Sequence, residues 1–413
     1  MKYRDYQVEI IEKGTEVLKD KSLLYLAMEV RTGKTLTALG ICDKMDIKDV
    51  LFVTKKKAIE SIESDYKEMG YKFNLDVINY ESLHKIEPGL YYDVIICDEA
   101  HSMGAFPKPS KRAKQVKDLL MRYQCNLILL SGTPSPESFS QMYHQVYGHP
   151  KNPYRGYKNF YRWADDYVIV KQKHINGFRI NDYTGGVEEK ILESMAPYTI
   201  NYSQKEAGFT STIEEEVLLV PMHSSTYKMC HRLRKVLVLQ GNNDAVLADT
   251  GVKLMSKLHQ MYSGTVILES GKAWKLDHTK ANFIDLKFEG KKIAIFYKFK
   301  AEYDILKDVF DDRLTTDLEE FRKDEKKNIA LQIVSGREGI SLKEADYIVY
   351  FNIDFSATSY WQSRDRMTTK TRTANKVYWI FSKGGIEQRI YTRVVGKKNY
   401  TLKHFKQDLL TLF

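Results

Sequence analysis

Short apolar runs separated by helix-like stretches dominate the first 150 residues. LLYLAM (23–28), DVLFVT (49–54), LDVI (75–78), DVIICDE (93–99) and NLILLS (126–131) show almost no alternation of polar and apolar positions. A strand covered on one face alternates, whereas a strand covered on both does not, so these runs predict a parallel sheet flanked by helices. The intervening segments 34–45, 56–69 and 111–123 place apolar residues at helical intervals. A second block of the same kind begins near Asp277, with strands predicted at 291–297, 328–334, 345–351 and 376–381. Helices are predicted there at 300–310, 317–326, 356–368 and 385–396. Ahead of it lie a strand at 214–220 and two helical segments over about 222–262.

Between the blocks the pattern breaks. KNPYRGYKNFYRW and KQKHINGFRINDYTGG are aromatic, basic and rich in turn residues, with Gly185-Gly186 as the clearest punctuation. The expected organisation is therefore α/β, two parallel-sheet domains in tandem. The first covers residues 1–150, an insertion and connector 151–212, and the second 213–413 with a helical insertion at about 222–275. In 154–163 the aromatic and basic residues interleave. Stacking of bases on these rings is one reading, and an amphipathic helix packing its aromatics on the first domain is the favoured one.

Composition narrows the class. A 43% hydrophobic and 29% charged chain of 413 residues has material for two cores. The formal net charge of +10 favours a polyanionic partner. Four scattered cysteines, without a CxxC pair or a His/Cys cluster, indicate neither a disulfide framework nor a zinc site. No run of about 18 apolar residues would span a membrane, and the opening MKYRDYQVEI lacks the apolar core of a signal peptide. The expected compartment is a reducing cytoplasm.

Two local patterns carry chemistry. A strand at 23–28 leads through Glu29-Val30-Arg31-Thr32 into Gly33-Lys34-Thr35, which opens a helix. Backbone amides of such a loop and the helix N-terminus converge on a phosphate. Lys34 would reach the terminal phosphates, and the Thr35 hydroxyl would bind Mg²⁺. Met28 stands where this loop usually begins with glycine. The second pattern is the strand Val94–Cys97 running into Asp98-Glu99-Ala100-His101. Carboxylates at the end of a neighbouring parallel strand suit a Mg²⁺ shell, assigned to Asp98, and activation of water, assigned to Glu99.

With these in place the chain resembles the superfamily 2 helicases of the DEAH type, and among them the SWI/SNF-like translocases and their compact phage and bacterial relatives. The resemblance spans nearly the whole sequence. It implies two RecA-like domains, ATP and Mg²⁺ as cofactors, and DNA, single-stranded, duplex or forked, as partner. In Tyr3-Arg4-Asp5-Tyr6-Gln7 it implies adenine recognition by Gln7 with Arg4 in support. Arg31, Thr32 and Gly33 fall in the phosphate loop. His101 and Ser131-Gly132-Thr133-Pro134 would couple the ATP site to domain movement. In the second domain Ser335–Leu342, including Gly339, resembles the motif that faces both ATP and nucleic acid. Gln362 and Arg366 resemble the arginine-finger motif, a role that suits a bidentate cation which never deprotonates. Thr369 stands where the family commonly has a second arginine, and Arg364, Lys370 or Arg372 could take over.

The resemblance also implies nucleic-acid contacts at Thr54-Lys55, Asn79-Tyr80-Glu81-Ser82, Tyr297-Lys298-Phe299 and Ser335-Gly336. Lys56 and Lys57 read equally well as a solvated helix start, and the basic stretch with Arg389, Arg393, Lys397, Lys398, Lys403 and Lys406 as a soluble helix face. The expected function is an ATP-driven DNA helicase or translocase in replication, recombination or repair. An RNA-directed ATPase and a nucleotide-gated binding module with little motor activity are the alternatives.

Overall fold

The computed structural model describes the chain apart from residues 1, 88, 176–177, 209–211, 242–243, 334–341, 357–358, 361–373, 397–399, 402–403, 406 and 409–413. It divides into two compact units, Met1–Phe209 and Thr210–Phe413. Each contains a six-stranded, wholly parallel sheet, the RecA-like α/β architecture that the sequence predicts.

In the first unit β1 (Leu23–Met28), β2 (Asp49–Thr54), β3 (Asn74–Asn79), β4 (Val94–Cys97), β5 (Asn126–Leu130) and a later strand form the sheet. Residue parity explains its burial. Leu23, Tyr25, Leu51, Val53, Ile95, Cys97, Leu127 and Leu129 enter one core, and Leu24, Leu26, Met28, Phe52, Ile96 and Ile128 enter the other. Successive strand residues point to opposite faces, so a sheet covered on both sides needs an apolar residue at every position. Helices α1 (Asp5–Lys21), α2 (Lys34–Lys44) and α3 (Ile59–Met69) cover the even face with Ile11, Leu39 and Ile62. The odd face is covered by α4 (Lys111–Tyr123), α5 (Met142–Val146), α6 (Phe160–Tyr167) and α7 (Glu188–Met195). In α4, Ser110 accepts a hydrogen bond from the Ala113 amide at 3.1 Å and so starts the helix. Ala113, Val116, Leu119, Leu120 and Tyr123 then form the buried stripe.

The stretch read as insertion and connector packs within the first unit. Tyr154, Phe160 and Trp163 are buried in the odd-face core, which fits the packing reading of the aromatic segment. A hairpin, β6 (Lys171–Ile175) and β7 (Phe178–Asp182), follows. Then β8 (Thr199–Tyr202) pairs in parallel with β1, giving the order β3-β2-β4-β5-β1-β8.

The second unit begins with β9 (Thr212–Val220) and α8 (Ser224–Val236). The region expected to be helical up to about residue 275 instead alternates. Hairpin β10 (Val238–Gln240) with β11 (Ala245–Leu247), helix α9 (Gly251–Tyr262), and hairpin β12 (Thr265–Ile267) with β13 (Ala273–Lys275) follow in turn. Then come α10 (Thr279–Lys287), β14 (Ile293–Tyr297), α11 (Lys300–Phe310), β15 (Leu314–Thr315), α12 (Leu318–Lys323), β16 (Asn328–Gln332), β17 (Tyr347–Tyr350), β18 (Ala374–Ser382) and α13 (Glu387–Val395). The sheet order is β15-β16-β14-β17-β18-β9. All four cysteines are buried free thiols. No described helix is long and apolar enough to cross a membrane.

Candidate nucleotide site

Parallel pairing brings the carboxyl ends of the first unit's strands to one edge. In that edge the loop after β1 is followed by those after β5, β4, β2 and β3 in sheet order. Residues 28–35, 131–133, 98–101, 54–55 and 79–82 therefore share one edge, where ligands of open α/β sheets bind.

The loop from β1 to α2 is shaped for an anion. Arg31 and Gly33 both take left-handed backbone conformations, φ 65° and 82°. α2 opens with no side-chain cap and no acidic residue in its first turn, so its positive dipole end is uncompensated. Gly33 is required twice over. Its φ disfavours a side chain, and a Cβ there would lie 2.4 Å from Gln7 Nε2. The Glu29 carbonyl accepts from Thr32 Oγ1 at 2.7 Å, from the Thr32 amide at 3.3 Å and from Lys34 Nζ at 3.4 Å. Lys34 thus folds back over its own loop. Thr35, half-exposed, is the second residue of α2. The bulk of Met28 stays out of the loop, since its side chain is fully buried in the even-face core.

The N-terminal motif props this loop from beneath. Gln7 is buried, accepts the Arg4 amide at 3.0 Å, and donates to the Gly33 carbonyl at 3.2 Å and to Thr37 Oγ1 at 3.4 Å. Its amide, expected at a base edge, is therefore engaged with the loop. Arg4 Nη1 donates to Tyr6 OH at 2.7 Å and to the Arg31 carbonyl at 3.4 Å, while Tyr6 OH donates to the Thr32 carbonyl at 3.1 Å. The Tyr6 ring stacks on Tyr202 at 4.6 Å.

The carboxylates stand two strands away. Asp98 accepts from Thr54 Oγ1 at 2.8 Å and from the Glu99 amide at 2.9 Å. Burial and the charge of Glu99 push its pKa up to about 6, against the pull of Lys34 and the Thr54 hydroxyl. Glu99 is left-handed, φ 48°, and its Oε2 lies 3.3 Å from His101 Nδ1. The same nitrogen lies 3.0 Å from Ser131 Oγ, which accepts the Thr133 amide at 3.1 Å. A continuous polar line thus runs from Glu99 through buried His101 and Ser131 to the loop after β5.

Thr54 and Tyr80, expected at nucleic acid, are both fully buried. The Thr54 hydroxyl serves the Asp98 carboxylate, and Tyr80 OH donates to the Asp98 carbonyl at 2.7 Å. Around them Lys56, Lys57 and Glu81 are exposed and Lys55, Asn79 and Ser82 partly so, with Glu81 paired to Arg112 at 2.5 Å. In the second unit Lys298 is paired with Asp354 and lies 4.2 Å from the Phe355 ring centroid. Phe299 precedes α11, its amide held by Glu302 at 3.0 Å. Ser335, Gly336, Gly339, Gln362 and Arg366 lie outside the described residues, as do Arg364, Thr369, Lys370, Arg372, Lys397, Lys398, Lys403 and Lys406.

No protein-family model matches the sequence, and no curated protein matches it. Solved structures do. The SWI2/SNF2 ATPase core of Sulfolobus solfataricus in complex with double-stranded DNA is 14% identical, with 98% of this chain and 92% of that chain covered and a TM-score of 0.44. The SWI2/SNF2 ATPase core domain of the same organism is 15% identical over 96% and 89% of the two chains, with a TM-score of 0.41.

The donor set fits a hard cation that arrives with a phosphorylated ligand. No described group of three or more His, Cys, Asp or Glu could hold a metal by itself. One buried carboxylate at the same sheet edge as a helix-borne hydroxyl, Asp98 with Thr35, is a set that Mg²⁺ can use when phosphate oxygens and water fill its remaining positions. Burial and Glu99 disfavour the charged form of Asp98, and a cation beside it would favour that form. Sequence reasoning placed Glu29 in the loop but missed its partners Tyr202 and Gln204. The Glu29 amide donates to the Tyr202 carbonyl at 2.9 Å, while the Gln204 amide donates to Glu29 Oε2 at 2.8 Å and its Nε2 to the Val30 carbonyl at 2.9 Å. No local signal marks residues about 170 positions away that reach the loop through an added strand.

Proposed function

We propose that the chain is a DNA-dependent ATPase of the superfamily 2 DEAH type that couples hydrolysis to movement along DNA, acting in replication, recombination or repair in a bacterial or phage-infected cell. One observation carries the chemistry: an uncapped, glycine-led helix start bearing Lys34 shares a strand edge with Asp98 and Glu99, within electrostatic reach of each other. The α2 amides and Lys34 bind the β- and γ-phosphates, and Arg31, Thr32 and Gly33 shape the cradle. Thr35 and Asp98 hold Mg²⁺, which supplies positive charge to the phosphate oxygens. Glu99 orients a water and takes its proton as the water oxygen bonds to the γ-phosphorus and the β–γ bridging bond breaks, leaving ADP and phosphate. His101, Ser131 and Thr133 carry the state of Glu99 to the loop after β5. Gln7 and Arg4 fix the loop beside the base, and Arg366 with Gln362 supplies transition-state charge, as their sequence motif implies.

The excess of 64 Lys and Arg over 54 Asp and Glu supports a polyanionic track. On that track we place Lys55, Lys298, Phe299, Ser335 and Gly336, with Thr54 and Tyr80 acting through Asp98.

Lys34→Ala should abolish turnover and weaken ATP binding. Glu99→Gln should abolish turnover while retaining ATP, because the carboxylate acts on water rather than on phosphate. ATPase rates with single-stranded, duplex and forked DNA and with RNA, followed by strand displacement on the best activator, test the reading. Undiminished hydrolysis in both variants removes the site assignment, and stimulation by RNA alone replaces DNA with RNA.

A further inference from the structure

The opposite edge of the first sheet carries a second concavity. Ser22, just before β1, and Gln124-Cys125, just before β5, open onto a groove of about 760 Å³. This is the amino edge, about 20 Å from the nucleotide loop at roughly 3.3 Å per strand residue. One wall is α4 and the other is the turn of residues 147–158. Gly148 lets that turn settle on the helix, since a Cβ there would lie 3.0 Å from Lys117 Cβ and 3.1 Å from its Cα. The floor is fixed by Leu120, Tyr143 and Tyr154, all buried.

The lining is one-sided in charge. Lys117, Lys151, Arg155 and Lys158 face the groove, and among the described residues no Asp or Glu does. The chain carries 54 Asp and Glu beside its 64 Lys and Arg, so four cations without a carboxylate in one groove concentrate positive charge beyond the chain's overall excess. Nearby acids sit outside the lining: Asp118 is felt by Tyr147, and Asp166 accepts from Tyr157 OH at 2.7 Å. Tyr147 and Tyr157 stay half-exposed, and Lys117 Nζ lies 4.9 Å from the Tyr147 ring centroid. Lys151 Nζ donates to Ser22 Oγ at 3.0 Å, which ties the turn to the start of β1.

A small phosphorylated molecule is usually enclosed by its donors. An open trough with cations on both walls and tyrosine rings between them suits a polymer that enters and leaves at its ends. We propose that this groove is a second nucleic-acid contact, gripping the sugar-phosphate backbone away from the nucleotide edge. The identity of the polyanion rests on the reading of the chain as a nucleic-acid-dependent ATPase. A second grip raises the effective concentration of nucleic acid at the motor without entering the chemistry. Groove substitutions should therefore alter apparent affinity and leave turnover at saturation unchanged.

The test uses the full chain. Lys151→Glu/Arg155→Glu/Lys158→Glu is compared with Lys13→Glu/Lys67→Glu/Lys72→Glu, which makes the same charge change at exposed positions on the side of α1 and α3. Fluorescein-labelled single-stranded and duplex DNA are titrated by anisotropy over a salt series, and the DNA needed for half-maximal ATPase is measured. The groove variant should need about tenfold more DNA and show a salt slope shallower by about two, with an unchanged maximal rate. In the wild-type complex, Lys117, Lys151 and Lys158 should be protected from acetylation. Equal losses in both variants, or lysines that stay fully reactive in the complex, overturn the groove. If wild type is stimulated by nucleic acid and the groove variant behaves like it, the groove proposal alone fails. If no nucleic acid binds or stimulates wild type, the functional reading fails with it.

Discussion

Asp98 stands where a charge is hard to keep. Its pKa, pushed up to about 6 from 3.8 by burial and then by Glu99, exceeds that of an unfolded aspartate. A carboxyl group raised in this way contributes stability below about pH 4 and loses that contribution as pH rises through about 6. Asp98→Asn removes the charge and keeps the shape. It should stabilise the ligand-free protein at pH 8 by on the order of 2 kcal/mol, with the gain gone by about pH 4, while abolishing turnover. Thermal melts at the two pH values check this, and a gain independent of pH would contradict it. Lys34, Asp98 and Glu99 were legible in the sequence because each follows an apolar strand, and a parallel sheet sends such positions to one edge. The hydrogen bonds of Gln7, Thr54 and Tyr80 were not. A sequence motif shows that a residue is near a site, but only packing decides whether its polar atoms face ligand or protein. Tyr80 OH on the Asp98 carbonyl and Gln7 Nε2 on the Gly33 carbonyl are both answers of packing.

At the scale of elements, strands buried on both faces declared themselves. The runs at 23–28 and 49–54 became β1 and β2 without change of bounds, because every position in them serves one core or the other. The edge strand β8 did not. Thr199–Tyr202 is only partly buried, so its composition resembles that of a loop, and its pairing with β1 is a long-range event. The hairpins between α8 and α9 and after α9 were missed for a related reason, since three-residue strands are too short to show a period. Yet β8 matters to the site. It brings Tyr202 and Gln204 to the phosphate loop, where they hold Glu29 and Val30. Gln204→Ala removes one of these restraints, worth about 1 kcal/mol. Nucleotide affinity should fall severalfold by isothermal titration, with kcat at saturation nearly unchanged, since the restraint shapes the cradle rather than the reacting atoms. A fall in kcat at constant affinity would place Gln204 in the chemistry instead.

At the scale of the whole molecule, the chain forms two units with separate cores, and the proposed hydrolysis would draw on residues of both. In the first unit Lys34 is the cation that Asp98 feels, and it rests against the Glu29 carbonyl. One ammonium can neutralise ground-state phosphate, but the charge that spreads over the γ-phosphoryl oxygens during transfer calls for a second, bidentate cation. The sequence of the second unit offers Arg366, four positions beyond Gln362 in a stretch that resembles the arginine-finger motif. Such a group acts mainly in the transition state, so Arg366→Ala should lower kcat by about a thousandfold and change ATP affinity little. Single-turnover hydrolysis of bound ATP, measured beside equilibrium binding of the same nucleotide, separates the two quantities. Should affinity collapse while bound ATP still turns over at the wild-type rate, the second unit contributes binding alone, and another of its cations, with Arg364, Lys370 and Arg372 the first to substitute, must be sought for the transition state.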